Sequence, residues 1–436
     1  MGYSEKGEVF TGYFPGNDKK RKLIPGRRLR VRKDGSLALP AEMRKRLGVV
    51  PGAKLDIVCE GGRAVIRPHI HSLARVYIEP TSKCNLACQT CIRNTWTEPL
   101  GSMEMETLDR LVEQLRGFSS LQAVMFGGFG EPMAHPEILS MIRRVKSLGV
   151  RVEMVTNGTL LDERTIRDLF GTRLDMLWIS FDGADGESFE SIRQGASFRQ
   201  VMGGLELLQE LNAGRRHKID LGIAFVVMEK NIHDLKSLDR LIWASGARKI
   251  SISNVLPYTE DMERQMVCVH ALTLETLADV EGRVEISLPR LDMTERTKDV
   301  FLDLFRGYHN LSIMGHKIST ETQECRFIKD RCVFVRWDGK VSPCMGLLHA
   351  HTTYLYGLPR AIEPYVLGDV SSENLAEIWN SAEYKAFRER VRAFDFSPCH
   401  ICGGCHYLEK NSEDCYGNTF PACGGCLWAQ GVIQCP

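Results

Sequence analysis

Cys84, Cys88 and Cys91 place three thiols within eight residues, in the spacing CxxxCxxC. Thiolates so close together in one loop are metal ligands far more readily than disulfide partners. A [4Fe–4S] cube normally takes four cysteines, so three local thiolates leave one iron open to bind a substrate or cofactor. The remaining cysteines repeat the theme. The chain has fifteen, with three between 325 and 344, seven crowded into 399–435, and only Cys59 and Cys268 standing alone. The tight CxxC spacings argue for metal in a reducing compartment, with a pair of zinc ribbons at the carboxyl end as the alternative to iron–sulfur clusters.

These loops need a scaffold. At 436 residues the chain exceeds one ordinary core, so two or three domains are expected. Lys and Arg number 56 against 55 Asp and Glu, which gives overall charge no argument for nucleic acid or a membrane surface. No leader-like apolar run with a cleavage site and no stretch of about 18 apolar residues is evident, and the expectation is a cytoplasmic protein. From Arg75 to about Asn254, strand-like runs alternate with helical patterns: 76–78, 123–126, 152–155, 176–180, 219–227 and 249–253, with helices predicted at 103–115, 136–148, 163–170, 198–211 and 235–244. Six such units predict an α/β fold, a partial (β/α)6 TIM-like barrel with right-handed crossovers and its chemistry at the carboxyl ends of the strands. The 84–91 loop falls there, directly after the first strand. The expected organisation is an arm over 1–27, a small β domain over 28–70, the barrel over 71–257, a bridging region over 258–320 and a cysteine-rich domain over 321–436. The bridging region reads as helical with a short strand near 284–288, and the cysteine-rich end shows one long periodic run, 374–391.

The run Ile78-Glu79-Pro80-Thr81-Ser82-Lys83-Cys84-Asn85-Leu86-Ala87-Cys88-Gln89-Thr90-Cys91 resembles the radical S-adenosylmethionine (radical SAM) superfamily. The resemblance implies that the open iron chelates the methionine part of SAM. One electron then cleaves SAM to a 5′-deoxyadenosyl radical, which takes a hydrogen atom from the substrate. Exposed low-potential clusters imply an anaerobic cytoplasm and an electron donor such as ferredoxin or flavodoxin. Other strand ends agree in order. Gly127, Gly128, Gly130 and Glu131 resemble the family's GGE motif, where backbone and Glu receive the SAM ammonium. Thr156 and Asn157 end the third strand, Ser180 and Asp182 the fourth, with Arg193 beyond and Asn254 at the end of the sixth. The family commonly sets a Ser and an Arg at such places on the SAM ribose and carboxylate, and Asn254 is the candidate for adenine. One departure is Thr90, where an aromatic residue usually packs on adenine.

Cys325, Cys332 and Cys344, with Gly339–Cys344 as GxxxxC, resemble the opening of a SPASM domain, which carries two auxiliary [4Fe–4S] clusters in peptide- and protein-modifying enzymes. Cys399 and Cys402 continue the match; Cys405, Cys415, Cys423, Cys426 and Cys435 depart from the usual spacing. The usual topology places Cys325, Cys332 and Cys344 on the nearer cluster, joined by one late cysteine. Sulfatase-modifying relatives carry a basic Asp directly after the GxxxxC cysteine. Met345 stands there here, so that reaction is not carried over, and Asp182, Glu79 and His349 are the candidates should a base be needed. The closing run from Cys423 to Pro436, together with the amino-terminal unit, is similar to radical SAM maturases of tungsten-dependent oxidoreductases. It implies a substrate that is such an oxidoreductase or its small companion peptide.

Residues 28–67 form a small unit. Leu29 and Val31, the Asp34-Gly35 turn, and Leu37 and Leu39 predict a hairpin, Ala41–Leu47 a short helix, and the runs through 55–59 and 64–66 two further strands. It resembles AbrB/SpoVT swapped-hairpin domains, which dimerise and often bind DNA. Arg28, Arg30, Arg32 and Lys33 are suitably basic. A near-neutral chain with a catalytic barrel favours dimerisation, or a grip on a peptide, over DNA. The leading expectation is a radical SAM enzyme acting on a peptide or protein. Modification of a small molecule or cofactor precursor, and a DNA-binding iron–sulfur regulator, are the alternatives.

Overall fold

A computed structural model describes residues 55–60, 63–267, 285–288, 311–313, 325–355, 357–397 and 406–436, with 33, 36, 38–41, 44 and 49. The chain divides into two compact units, 1–47 and 48–436. In the first, the Arg44 amide donates to the Pro40 carbonyl at 3.0 Å and its guanidinium to Leu39 O at 2.7 Å, a helical turn where one is expected. The arm over 1–27 and the Asp34-Gly35 turn of the expected swapped hairpin lie outside the described residues.

In the second unit β1 (Leu55–Glu60) and β2 (Arg63–Pro68) form an antiparallel hairpin with Ile57 opposite Ile66. Asp56 on it meets His69 Nδ1 at 2.8 Å and Arg392 Nη1 at 3.0 Å. Then come the expected six strands: β3 (Arg75–Ile78), β4 (Ala123–Phe126), β5 (Arg151–Thr156), β6 (Met176–Ser180), β7 (Asp220–Val227) and β8 (Lys249–Asn254). Each pairs in parallel with the next. Most of their residues are buried because helices or the opposite wall cover both faces; all four residues of β4 are buried. Helices fill the intervals, among them α1 (Met105–Leu115), α2 (Ile138–Lys146), α3 (Glu163–Thr172), α4 (Gly186–Ile192), α5 (Phe198–Asn212) and α6 (Leu238–Ser245). Helix α1 buries Leu108, Leu111, Val112 and Leu115, the one-face spacing of an amphipathic helix. Asp162 caps α3, its carboxylate accepting the Thr165 amide at 2.7 Å. Within the bridging region the described elements are the short helix Glu260–Arg264, the expected strand near 284–288 as β9 (Glu285–Leu288), and a further short strand at 311–313.

The sheet does not stop at six strands. Beyond β8 it adds β9 and β10 (Leu311–Ile313), both parallel. At its other edge β11 (Cys332–Val335) pairs in parallel with β3, and β12 (Lys340–Ser342) and β15 (Gly368–Asp369) follow antiparallel. The cysteine-rich end is therefore built onto the barrel sheet, a connection absent from the sequence reading because three- and four-residue strands leave no periodic trace. Between β12 and β15, β13 (His351–Leu355) and β14 (Leu358–Ile362) make a separate hairpin. The expected periodic run 374–391 is two helices, Leu375–Asn380 and Ala382–Ala393.

The closing residues run from β8 to β3. Asn254 Nδ2 donates to Val432 O at 3.0 Å, the Gln434 amide donates to Ser253 Oγ at 3.0 Å, and Arg326 Nη1 donates to Cys435 O at 3.1 Å. Tyr77 Oη donates to Pro436 O at 3.3 Å, so this run bridges the first and sixth barrel strands.

Candidate active site and auxiliary recess

The loop leaving β3 carries Cys84, Cys88 and Cys91 and is held from three sides. The Ala87 and Gln89 amides donate to Gln194 O and Ile192 O at the end of α4, at 3.1 and 2.9 Å. The Glu131 amide donates to Lys83 O at 2.8 Å. Gly130 explains how β4 and this loop come so close: a Cβ there would lie 2.1 Å from Thr81 O and 2.6 Å from Lys83 O. Gly128 sits at φ +137° against Glu79, a conformation suited to glycine. Gly127 meets nothing nearer than 3.7 Å, so close approach does not explain that glycine.

Donors point at the sulfurs. The Leu86 amide lies 3.4 Å from Cys84 Sγ, Asn157 Nδ2 3.8 Å from the same atom, and Arg93 Nε 3.2 Å from Cys91 Sγ. Burial pushes the Cys88 thiol up to about 11, opposed by the Arg193 guanidinium and reinforced by Asp182, Cys91 and Cys84. Cys88 is thus within electrostatic reach of both other thiols, and metal binding must take all three as thiolates. A loop whose sulfurs are met by N–H donors and a nearby cation fits a cluster.

Glu131 is buried and its carboxylate is engaged within the protein. Oε1 accepts from Thr156 Oγ1 at 2.7 Å and the Met133 amide at 2.9 Å, and Oε2 accepts the Asn157 amide at 2.7 Å. Burial raises its pKa, and these three donors oppose the shift. About one of four acceptor positions remains for a ligand ammonium. Asn157 also donates to Asn85 Oδ1 at 2.9 Å, while Asn85 Nδ2 donates to Thr159 Oγ1 at 2.8 Å. These bonds clamp the cluster loop to the end of β5. Asp182, fully buried, pairs with Arg193 (Nη2 to Oδ2, 2.9 Å) and accepts the Val226 amide at 3.1 Å. Burial pushes its pKa up against the pull of Arg193. Arg193 Nε is buried with no partner, a donor that an anionic ligand such as a carboxylate could use. Ser180 stands half-buried at the end of β6. Asn254 differs from its adenine assignment in having its amide nitrogen on Val432; its Oδ1 is buried and unpartnered.

Several residues here had no sequence signal of their own: Asn85, Arg93 and Asn94 in or just after the cysteine loop, Thr159 after β5 and Tyr258 after β8. Asn94 Nδ2 donates to Cys88 O at 3.0 Å and to Tyr258 Oη at 3.3 Å, and Tyr258 Oη donates to Gln89 O. Two candidate bases meet each other. His349 Nε2 and Glu79 Oε2 lie 2.8 Å apart in the core, under the stacked Trp96 ring (4.4 Å between centroids).

The later cysteines divide into two recesses. Cys325, Cys344, Cys423 and Cys426 line one, with Phe327, Trp428 and Arg360. Cys332 and Cys435 line the other, with Tyr77, Arg326 and Asp330. Cys332 thus lines a different recess from Cys325 and Cys344, with which the resemblance groups it, while remaining within electrostatic reach of Cys325. Strand alternation is the reason: Cys332 and Phe334 share a face of β11, and Phe334 stacks on Tyr77 at 4.3 Å. Cys415 is exposed and lines neither recess. Cys399, Cys402 and Cys405 lie outside the described residues.

Residues 78–242 match the radical SAM superfamily and residues 325–406 match SPASM, an iron–sulfur cluster-binding domain. The chain thus carries a radical SAM domain and a SPASM domain, which imply a SAM-binding [4Fe–4S] cluster and auxiliary clusters as cofactors. It is 27% identical over 368 residues to the tungsten-containing aldehyde ferredoxin oxidoreductase cofactor-modifying protein of Pyrococcus furiosus, covering 83% of this chain and 96% of that protein. It is 23% identical to the AdoMet-dependent heme synthase of Methanosarcina barkeri (80% and 93% covered) and 26% to the PqqA peptide cyclase of Rhodopseudomonas palustris (80% and 86%). AdoMet-bound anSMEcpe shares the fold at a TM-score of 0.51 and 17% identity, covering 82% of this chain and 96% of that one. No helix among the described residues is long and apolar enough to cross a membrane.

Proposed function

We propose that this radical SAM enzyme is a maturase, abstracting hydrogen from a peptide or protein linked to a tungsten-dependent oxidoreductase. The observation that carries the reading is the near full-length similarity to the Pyrococcus furiosus cofactor-modifying protein. Similarity to a peptide cyclase supports a peptide substrate. Bound SAM and its cluster would supply the hydrogen-abstracting radical once reduced by a donor such as ferredoxin or flavodoxin. This chain's residues do the rest. Cys84, Cys88 and Cys91 hold the cluster. Glu131, Thr156 and Asn157 fix the ends of β4 and β5 beside it; Gly128 and Gly130 let the chain after β4 pack against Glu79 and the cysteine loop. Ser180, Asp182, Arg193 and Asn254 line the later strand ends. His349, hydrogen-bonded to Glu79, is better placed to exchange a proton than Asp182, which is committed to Arg193. The amino-terminal unit would dimerise or grip the substrate, in an anaerobic cytoplasm.

A second reading, chemistry on a cofactor itself, is favoured by the names of the Pyrococcus furiosus relative and the heme synthase. Anaerobically reconstituted protein given dithionite and SAM should form 5′-deoxyadenosine; its absence would sink both readings. Mass spectrometry then separates them. A mass change on a peptide encoded nearby, or on the oxidoreductase polypeptide, supports the first. A change confined to the extracted cofactor supports the second.

A further inference from the structure

We propose that the nearer auxiliary cluster is held by Cys325, Cys344, Cys423 and Cys426, with Cys332 and Cys435 outside its ligand set. The inference rests on the iron–sulfur reading of this region and specifies which residues of this chain carry it.

Four thiols from three separated segments face one buried recess. Cys325 precedes the short helix Arg326–Lys329, Cys344 ends the β11–β12 hairpin, and Cys423 and Cys426 form a CxxC turn closed by the Cys426 amide donating to Cys423 O at 3.0 Å. Among the described residues no trio of His, Cys, Asp or Glu closes on a single metal ion.

The sulfurs also differ in what surrounds them. Backbone amides of Phe327 and Ile328 point at Cys325, that of Leu347 at Cys344, and those of Trp428 and Ala429 at Cys426. Amide donors of this kind stabilise cluster thiolates and tune their potential. Arg360, buried in the same recess, sets a cation beside Cys423 and Cys426. It sits so close to the CxxC turn that a Cβ on Gly425 would overlap its guanidinium. A buried cation offsets the net negative charge of a four-thiolate cluster. Around Cys332 the largest charge effect is instead the Asp330 carboxylate, followed by Arg75 and Arg326. Phe327 and Trp428 line both recesses and so stand between the two sets. Counting agrees: of the ten cysteines from 325 onward, this assignment leaves Cys399, Cys402, Cys405 and Cys415 as four for the second cluster, with Cys332 and Cys435 as a remaining pair.

The test uses the full chain, reconstituted anaerobically, with Cys84, Cys88 and Cys91 replaced by Ala so that only auxiliary iron is counted. Onto this parent, Cys423→Ala, Cys426→Ala, Cys332→Ala and Cys435→Ala are introduced singly. Iron and sulfide per chain and EPR of the reduced and oxidised forms are measured. Cys423→Ala and Cys426→Ala should each lose about four irons or show a three-iron EPR signal. Cys332→Ala and Cys435→Ala should match the parent. Loss of a cluster from Cys332→Ala, or full iron in both Cys423→Ala and Cys426→Ala, overturns the assignment. A parent that binds zinc and no iron would instead overturn the cluster reading beneath it. Where an alanine variant fails to fold by circular dichroism, Cys423→Ser and Cys332→Ser decide. Serine at a ligand position alters the EPR spectrum, and serine at 332 leaves it unchanged.

Discussion

His349 Nε2 lies 2.8 Å from Glu79 Oε2, while its Nδ1 lies 3.1 Å from Glu98 Oε2. One imidazole thereby joins the end of β3 to the loop that follows Cys344. Donating to both carboxylates requires the protonated ring. Burial pushes the imidazole pKa down, but Glu79 and Glu98 outweigh it and hold the ring above its ordinary value. Glu98 is lowered: its bond to His349 and the Ala350 amide overcome the cost of burial.

The sign of the pH effect follows. The raised imidazole stabilises the fold fully below its ordinary 6.5, and that contribution disappears as pH rises through the folded value. The lowered Glu98 contributes above its ordinary 4.5 and fails as pH falls through its folded value. His349→Gln should therefore cost most, about 3 kcal/mol, near pH 6. The gap to wild type should narrow at higher pH, once the wild-type ring has lost its raised proton. Anaerobic thermal unfolding followed from about pH 6 upward measures it; a gap that never narrows would show that the ring's charge adds nothing.

Gly130→Ala tests how β4 meets the cysteine loop. The new methyl would lie 2.1 Å from Thr81 O and 2.6 Å from Lys83 O, both backbone atoms that cannot rotate away. Overpacking of this kind costs about 3 kcal/mol. Iron retained per chain should fall, because the displaced segment leads directly into Cys84. Gly127→Ala, with no neighbour nearer than 3.7 Å to its Cβ, should be far milder.

The barrel strands were legible because each is a short run rich in apolar residues between helical patterns, and all six fall within a residue of their expected limits. The cysteine loop was legible through its spacing. Contacts spanning great lengths of chain were not. His349 and Glu79 are 270 positions apart, and neither has a local signature. The pairing of β11 with β3 escaped for the same reason, as did the separation of Cys332 from Cys325 and Cys344, which depends on which face of a four-residue strand a thiol occupies. Asn157 was picked out as a strand-end residue, but its bond to Asn85 required the two loops to be folded together.

Asp182→Ala should be more damaging than Asp182→Asn. Alanine leaves the Arg193 guanidinium buried without its counter-charge and the Val226 amide without its acceptor, a loss of about 3 kcal/mol. Asparagine can keep the amide satisfied. Urea denaturation of the two variants gives the comparison, and equal midpoints would show that the charge pair adds nothing.

Cys88→Ala should abolish 5′-deoxyadenosine formation, lower iron by about four atoms per chain and leave the auxiliary iron in place. In the metal-free protein this thiol is held up to about 11, so loading the site releases a proton. The yield of reconstituted cluster should accordingly rise between about pH 7 and pH 9, measured as iron retained after desalting. A pH-independent yield would mean that deprotonation of Cys88 does not limit loading.

The Glu79 amide donates to Val335 O at 2.9 Å, in register with the parallel pairing of β3 and β11. A single strand thus supplies the loop of one metal centre and the sheet edge on which the next is built. For protein engineering this means that the cysteine-rich end cannot be exchanged between relatives as a detachable accessory. A graft cut in the segment between β10 and Cys325 would bring a foreign β11 against a native β3. Chimeras of this enzyme should keep both strands from the same parent, along with the Tyr77 and Phe334 rings that stack between them.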